Sequence, residues 1–185
     1  MREGRLFLLD ACCLINLLAT EHAGEILETL SYRCAVPRFV AEKEVLRFSR
    51  KSTGGEQRPI SLAEIRAEIG VEILDIESPA ESAELLRLGE LLDEGEANAC
   101  ALAVGRHGGV ATDDKKALAL LARMTPEVPT VQTPEIFFEA FAASRWSELE
   151  ARRMLRAIRD RASFVPRRGA PHFDWWNRLL GSHPK

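Results

Sequence analysis

Leu6-Phe7-Leu8-Leu9-Asp10-Ala11-Cys12-Cys13-Leu14-Ile15-Asn16-Leu17-Leu18 is the stretch on which the fold turns. Four consecutive apolar residues ending in an acid fit a central parallel strand, buried on both faces, with Asp10 at its carboxyl end. The apolar run after Asp10, and the i, i+3, i+4, i+7 spacing of Ala23, Ile26, Leu27 and Leu30, predict two short helices. Further out, Cys34-Ala35-Val36 reads as a second strand, and Pro37 opens a helix over 38–48. Residues 71–76, 109–112 and 128–131 read as three more strands. Ser78 and Glu81 form a capping-box pattern that starts a helix reaching about residue 92. Residues 95–103 form a small-residue helix, and 115–123, 134–143 and 146–162 are helical. Strands that alternate with helices imply an α/β fold with a mainly parallel sheet of four to five strands, which binds ligands beyond the carboxyl ends of its strands.

The chain has 185 residues, 46% hydrophobic and 29% charged, a composition that excludes collagenous, wholly disordered and membrane-embedded chains. Aromatics are only 6%, so the core rests on aliphatic residues and platforms for stacking bases are scarce. A net charge of −3 argues against a uniformly basic nucleic-acid coat. Its distribution is uneven: residues 145–185 hold ten basic side chains against four acids, while the first 144 are acidic. Arg152, Arg153, Arg156 and Arg159 recur at helical spacing, a stripe suited to an RNA backbone, to the acidic body or simply to solvent. Residues 49–61 read as a mobile polar loop whose Arg50, Lys51 and Arg58 could contact phosphates. Residues 163–185 read as an irregular appendage, so two regions are expected: a body over 1–143 and a basic helical C-terminal extension over 144–185. The four cysteines sit in apolar stretches without zinc-ligand spacing, as expected of reduced thiols in a cytoplasmic protein. Asp10 and Asn16 interrupt the first apolar run, which argues against a signal peptide or a membrane association.

The chemistry-bearing residues are acids. Asp10 follows the first strand, Glu42 or Glu44 lies on the helix after the second, Glu96 starts the small-residue helix, and Asp113-Asp114 follows the fourth strand. Carboxylates gathered at one end of a sheet repel one another unless a cation lies between them, and Mg²⁺ or Mn²⁺ suits hard oxygen ligands. Such ions serve phosphodiester hydrolysis by activating water. No phosphate-binding loop, nucleophile elbow or zinc-protease motif is present. A small-molecule phosphatase would need a nucleophilic DxD, which Asp10-Ala11-Cys12 does not supply.

These residues carry a family resemblance. Asp10 to Leu18 resembles the D-x-[ST/C]-x-L-I-x-L-L segment that opens PIN-domain nucleases, the family that includes the VapC toxins. Gly95-Glu96-Ala97-Asn98-Ala99-Cys100-Ala101-Leu102-Ala103 is similar to its GEAxAxALA helix, and Thr112-Asp113-Asp114 to its T-x-D segment. The matches span about residues 5–143. The resemblance implies a three-layer α/β/α fold and a metal-dependent endoribonuclease, the toxin of a toxin–antitoxin pair, with RNA as substrate, an antitoxin protein as partner and a homodimeric state. It makes Asp10, Glu96 and Asp114 metal ligands under Mg²⁺ or Mn²⁺, with Asp113 beside them. Glu44, followed by Val45-Leu46, is the favoured second acid and Glu42 its competitor; about 200° apart on a helix, only one can face the site. Some relatives carry another acid where Asn98 stands, and a PIN-like scaffold that binds without turnover is the alternative reading.

Overall fold

A computed structural model describes residues 4–45, 49–51, 57–59 and 61–181, the runs 49–51 and 57–59 as backbone alone. Five parallel strands form the main sheet: β1 (Leu6–Leu9), β2 (Arg33–Pro37), β5 (Glu72–Leu74), β6 (Gly109–Ala111) and β7 (Thr130–Val131), in the spatial order β5-β2-β1-β6-β7. Strand β1 lies between β2 and β6, with Leu9 opposite Ala111. Because successive side chains alternate, Phe7 and Leu9 face one layer and Leu8 the other. The Leu8 side is covered by α4 (Pro79–Gly89), α5 (Glu94–Gly105) and α6 (Lys115–Met124). Helices α1 (Ala11–Ala19), α2 (Ala23–Thr29), α3 (Leu62–Ile69), α7 (Thr133–Ala143), α8 (Glu148–Ala162) and α9 (Phe173–Leu180) pack on the other. The expected three-layer α/β/α arrangement is the one observed. Among the described residues no helix is long and apolar enough to cross a membrane.

Several local expectations need correction. The helix expected over 38–48 contains a π-helical turn, Val40–Glu44, closed by the Val45 N–H on the Val40 carbonyl. The expected loop over 49–61 holds a short antiparallel ladder, β3 (Ser49–Lys51) with β4 (Gln57–Pro59). The roles expected of the Arg50, Lys51 and Arg58 side chains lie outside the described residues. Helix α3, unforeseen, starts in a capping box of Ser61 and Glu64 and stops at Gly70 with φ 60°, a left-handed cap that glycine adopts without strain.

The segment expected to be an irregular appendage contains α9, and the core runs across residue 143. Ala151, Met154, Leu155 and Ile158 of α8 are buried in the cluster that holds Leu14 and Leu17 of α1. Trp176 of α9 is fully buried, its ring 6.0 Å from Phe137 and 5.8 Å from Phe164 in edge-to-face contacts. Helix α5 is likewise interior: small residues let it approach β1 and α4, and a Cβ at Gly105 would lie 2.6 Å from Glu81 Cγ.

Truncating Trp176 to Ala opens a large cavity, and we expect a loss of about 3–5 kcal/mol, read by denaturant unfolding as one transition for the whole chain. Glu81 supplies a second test. Burial alone would raise its pKa, but N–H groups of Glu77 and Ser78 and the Arg106 guanidinium at 2.9 Å outweigh that and hold it at about 2. A depressed carboxylate stabilises the fold above its unfolded pKa, about 4. Its contribution is lost as pH falls from there through about 2. Glu81→Gln should flatten the acid limb of stability over that window; an unchanged limb excludes this source.

Candidate metal and phosphate site

The chain runs outward from β1 through β2 to β5 and then crosses back to β6 and β7, so its direction reverses between β1 and β6. Carboxyl ends at such a switch leave a crevice. Asp10 and Asp113-Asp114 stand at its two sides. Asp10 is 5% exposed and N-caps α1, accepting from the Ala11 N–H at 2.7 Å. Its other oxygen accepts from the Thr112 hydroxyl at 2.9 Å and the Cys12 thiol at 3.1 Å. Burial raises the Asp10 pKa, those three donors oppose the rise, and nearby Asp93 adds to it.

Helices α5 and α6 also begin here. Asp93 N-caps α5 and shares a capping box with Glu96, and Asp114 N-caps α6 through the N–H groups of Lys116 and Ala117. Three helix N-termini thus converge on the carboxylates, each worth about 0.3–1 kcal/mol toward negative charge. That is not enough to cancel the repulsion. The Glu96 carboxyl is pushed up to about 7 by burial, then by the charges of Asp93, Asp114 and Asp10. Among the described residues no Lys or Arg forms an ion pair with Asp10, Glu96, Asp113 or Asp114.

The π-helical turn separates the two candidate second acids. Glu42 bonds Arg38 at 3.0 Å, and Arg38 also holds Asp75. Glu44 lies on the opposite side, its carboxylate filling the space that a Cβ on Gly95 would occupy. The first turn of α5 therefore carries Glu96 with the Glu44 carboxylate directly above Gly95. The two neighbours after β6 also divide. Asp113 accepts from the Thr133 N–H and hydroxyl at 2.9 and 2.5 Å and from Asn16 at 3.2 Å, so its oxygens are committed to tying α1 to α7. Asp114 keeps one oxygen outside its capping bonds and borders the open cleft.

Soft donors are present as well. Cys12 Sγ, Cys13 Sγ and an Asp113 oxygen lie within 4.8 Å of one another. Cys13 is fully buried and hydrogen-bonded to Thr133, whereas Cys12 is half-buried and borders the cleft. Sequence reading also passed over Asp93, although Asp93 and Glu96 have the same capping-box spacing as Ser78 and Glu81. Asn98 donates to the Glu94 carbonyl of its own helix. Arg152 pairs with Glu148 and Arg156 is exposed; neither borders the cleft.

An acidic crevice at the switch point of a parallel sheet, ringed by helix N-termini, defines a nuclease-type α/β site. The family model described as PIN domain matches residues 6–160, and the chain belongs to that family. No curated protein and no solved structure matches the chain.

Gly95→Ala should leave stability unchanged or slightly higher, since alanine is the better helix former, while forcing the Glu44 carboxylate aside. Calorimetry should then show Mn²⁺ binding weakened by about tenfold or more. Binding at full strength would place Glu44 outside the ion site.

Proposed function

We propose that the chain is a metal-dependent endoribonuclease that hydrolyses RNA phosphodiesters, the toxin half of a toxin–antitoxin pair. One observation carries the nuclease reading: Asp10, Glu96 and Asp114 stand close enough at the open end of the sheet to act on one another's charge, burial and those neighbours push Glu96 up to about 7, and the Glu44 carboxylate lies against Gly95, one residue from Glu96. Such a donor set fits a hard divalent ion, Mg²⁺ or Mn²⁺, and these four residues would hold it. When bound, the ion would supply an activated water and offset the charge that a phosphodiester gains during in-line displacement.

The chain's own residues set the geometry. Thr112 and Cys12 fix one Asp10 oxygen by donating to it, and the Ala11 N–H fixes the other. Asp114 is aimed by its two capping bonds, and its N–H rests on the same Thr112 hydroxyl, so Thr112 couples the acids across the crevice. The helix N-termini favour a phosphate beside the carboxylates. The toxin role, an antitoxin partner and a homodimer rest on the likeness of motif order to the VapC group.

Asp10→Asn keeps the size and the Thr112 bond but removes the charge. RNA cleavage under Mg²⁺ or Mn²⁺ should fall by about 100-fold or more, and expression of the Asn form should no longer arrest growth. A variant that cleaves at the original rate would falsify the nuclease reading. Cleavage without growth arrest would remove only the toxin role.

A further inference from the structure

Asp113 and Asp114, with Cys12 and Lys115, border one side of a cleft of about 530 Å³, and its other side is the turn after α8, residues 163–170. That turn carries Arg167 and Arg168, both exposed and both bordering the cleft that Asp114 lines. Neither guanidinium has an ion-pair partner among the described residues. Three other arginines of the extension are ion-paired, Arg152 with Glu148, Arg159 with Asp160 and Arg161 with Glu21, and what sets Arg167 and Arg168 apart from the remaining ones is that they border the cleft.

The turn is held in place. Ser163 and Gly169 take positive φ, and the Ala170 N–H returns to the Arg167 carbonyl. Pro166 is buried, Phe164 packs on Trp176, and His172 stacks on Phe138 with centroids 3.8 Å apart. Fixed cations that face a carboxylate cluster without pairing to it leave room for a third group. Arg168 also borders a second depression of about 520 Å³, lined by His172, Asp174 and Trp175.

We propose that Arg167 and Arg168 form a phosphate clamp, and that the turn they sit on supplies the second wall of the groove for a single-stranded RNA substrate. A divalent ion held by the acids would face one phosphate, and the guanidiniums bind the neighbouring ones by charge-assisted and bidentate hydrogen bonds. The clamp rests on the ribonuclease reading for its substrate and replaces the α8 stripe as the RNA track. None of Arg152, Arg153, Arg156 and Arg159 borders the cleft, and Arg161 at the end of α8 is turned to the Ala19 carbonyl at the carboxyl end of α1.

The test uses the full chain with Asp10→Asn, which separates binding from turnover, and a fluorescein-labelled 12-nucleotide single-stranded RNA followed by anisotropy across a salt series. Arg167→Ala with Arg168→Ala should weaken binding by about tenfold or more and make the salt slope shallower by about 1.4, two phosphate contacts on a single strand. Thermal unfolding should not move, since both side chains are exposed. Unchanged affinity and slope overturn the clamp, as does the same loss from Arg153→Ala with Arg156→Ala alone. RNA that fails to bind even the parent chain overturns it too. The outcome is independent of cleavage: a chain that cleaves RNA but binds it equally well without the two arginines keeps the nuclease and loses the clamp. A chain that binds through them without cleaving keeps the clamp and loses the nuclease.

Discussion

Mutual repulsion among carboxylates crowded at the carboxyl end of the sheet is the constraint around which this molecule is organised. Asp10 is almost wholly removed from water, and Asp93, Glu96 and Asp114 act on the same region. Placing such groups together costs stability that the core must offset. The fold lowers the cost with helix dipoles: Asp10 after β1 and Asp114 after β6 each cap the helix that follows, and Asp93 caps α5, so these charges meet unsatisfied N–H groups. A parallel sheet makes this automatic, because every strand's carboxyl end leads into the amino end of a helix. What remains uncompensated is the affinity left for a cation.

Much of the architecture was written in local pattern. Phe7-Leu8-Leu9 could only be a strand buried on two faces, and the acids after β1 and β6 followed once a parallel sheet was inferred. Other features depend on contacts that no local pattern encodes. Whether Glu42 or Glu44 turns toward α5 hangs on the π-helical turn, in which one N–H reaches five residues back, and on Gly95, which leaves room for a carboxylate. Asp113 and Asp114 are chemically identical neighbours. Their separate fates come from Thr133, twenty residues later in the chain, which claims the first of them.

The C-terminal region misled for a different reason. Its prolines and high charge have the look of a solvated tail, and only a few large side chains reveal otherwise. Trp176 and Leu179 lie on one side of a helix of eight residues, too short to stand out by periodicity. Yet Trp176, fully buried beside Phe137 and Phe164, ties the last helix to α7 and to the turn after α8.

That tie bears on where a PIN-domain chain can keep bases near its acids. An arginine inside the carboxylate ring would pair with Asp10 or Glu96, cancel the charge that a divalent ion requires, and close the site. Among the described residues the bases that border the cleft are Lys115, beside Asp114, and Arg167 and Arg168 on a separately anchored turn, and none of them is ion-paired with an acid of the site. In this chain the body's own sheet and first helices supply the acids, and the turn after α8 faces them with Arg167 and Arg168. The aromatic cluster fixes that turn, so the same packing that completes the core also sets the two guanidiniums across the cleft from Asp114.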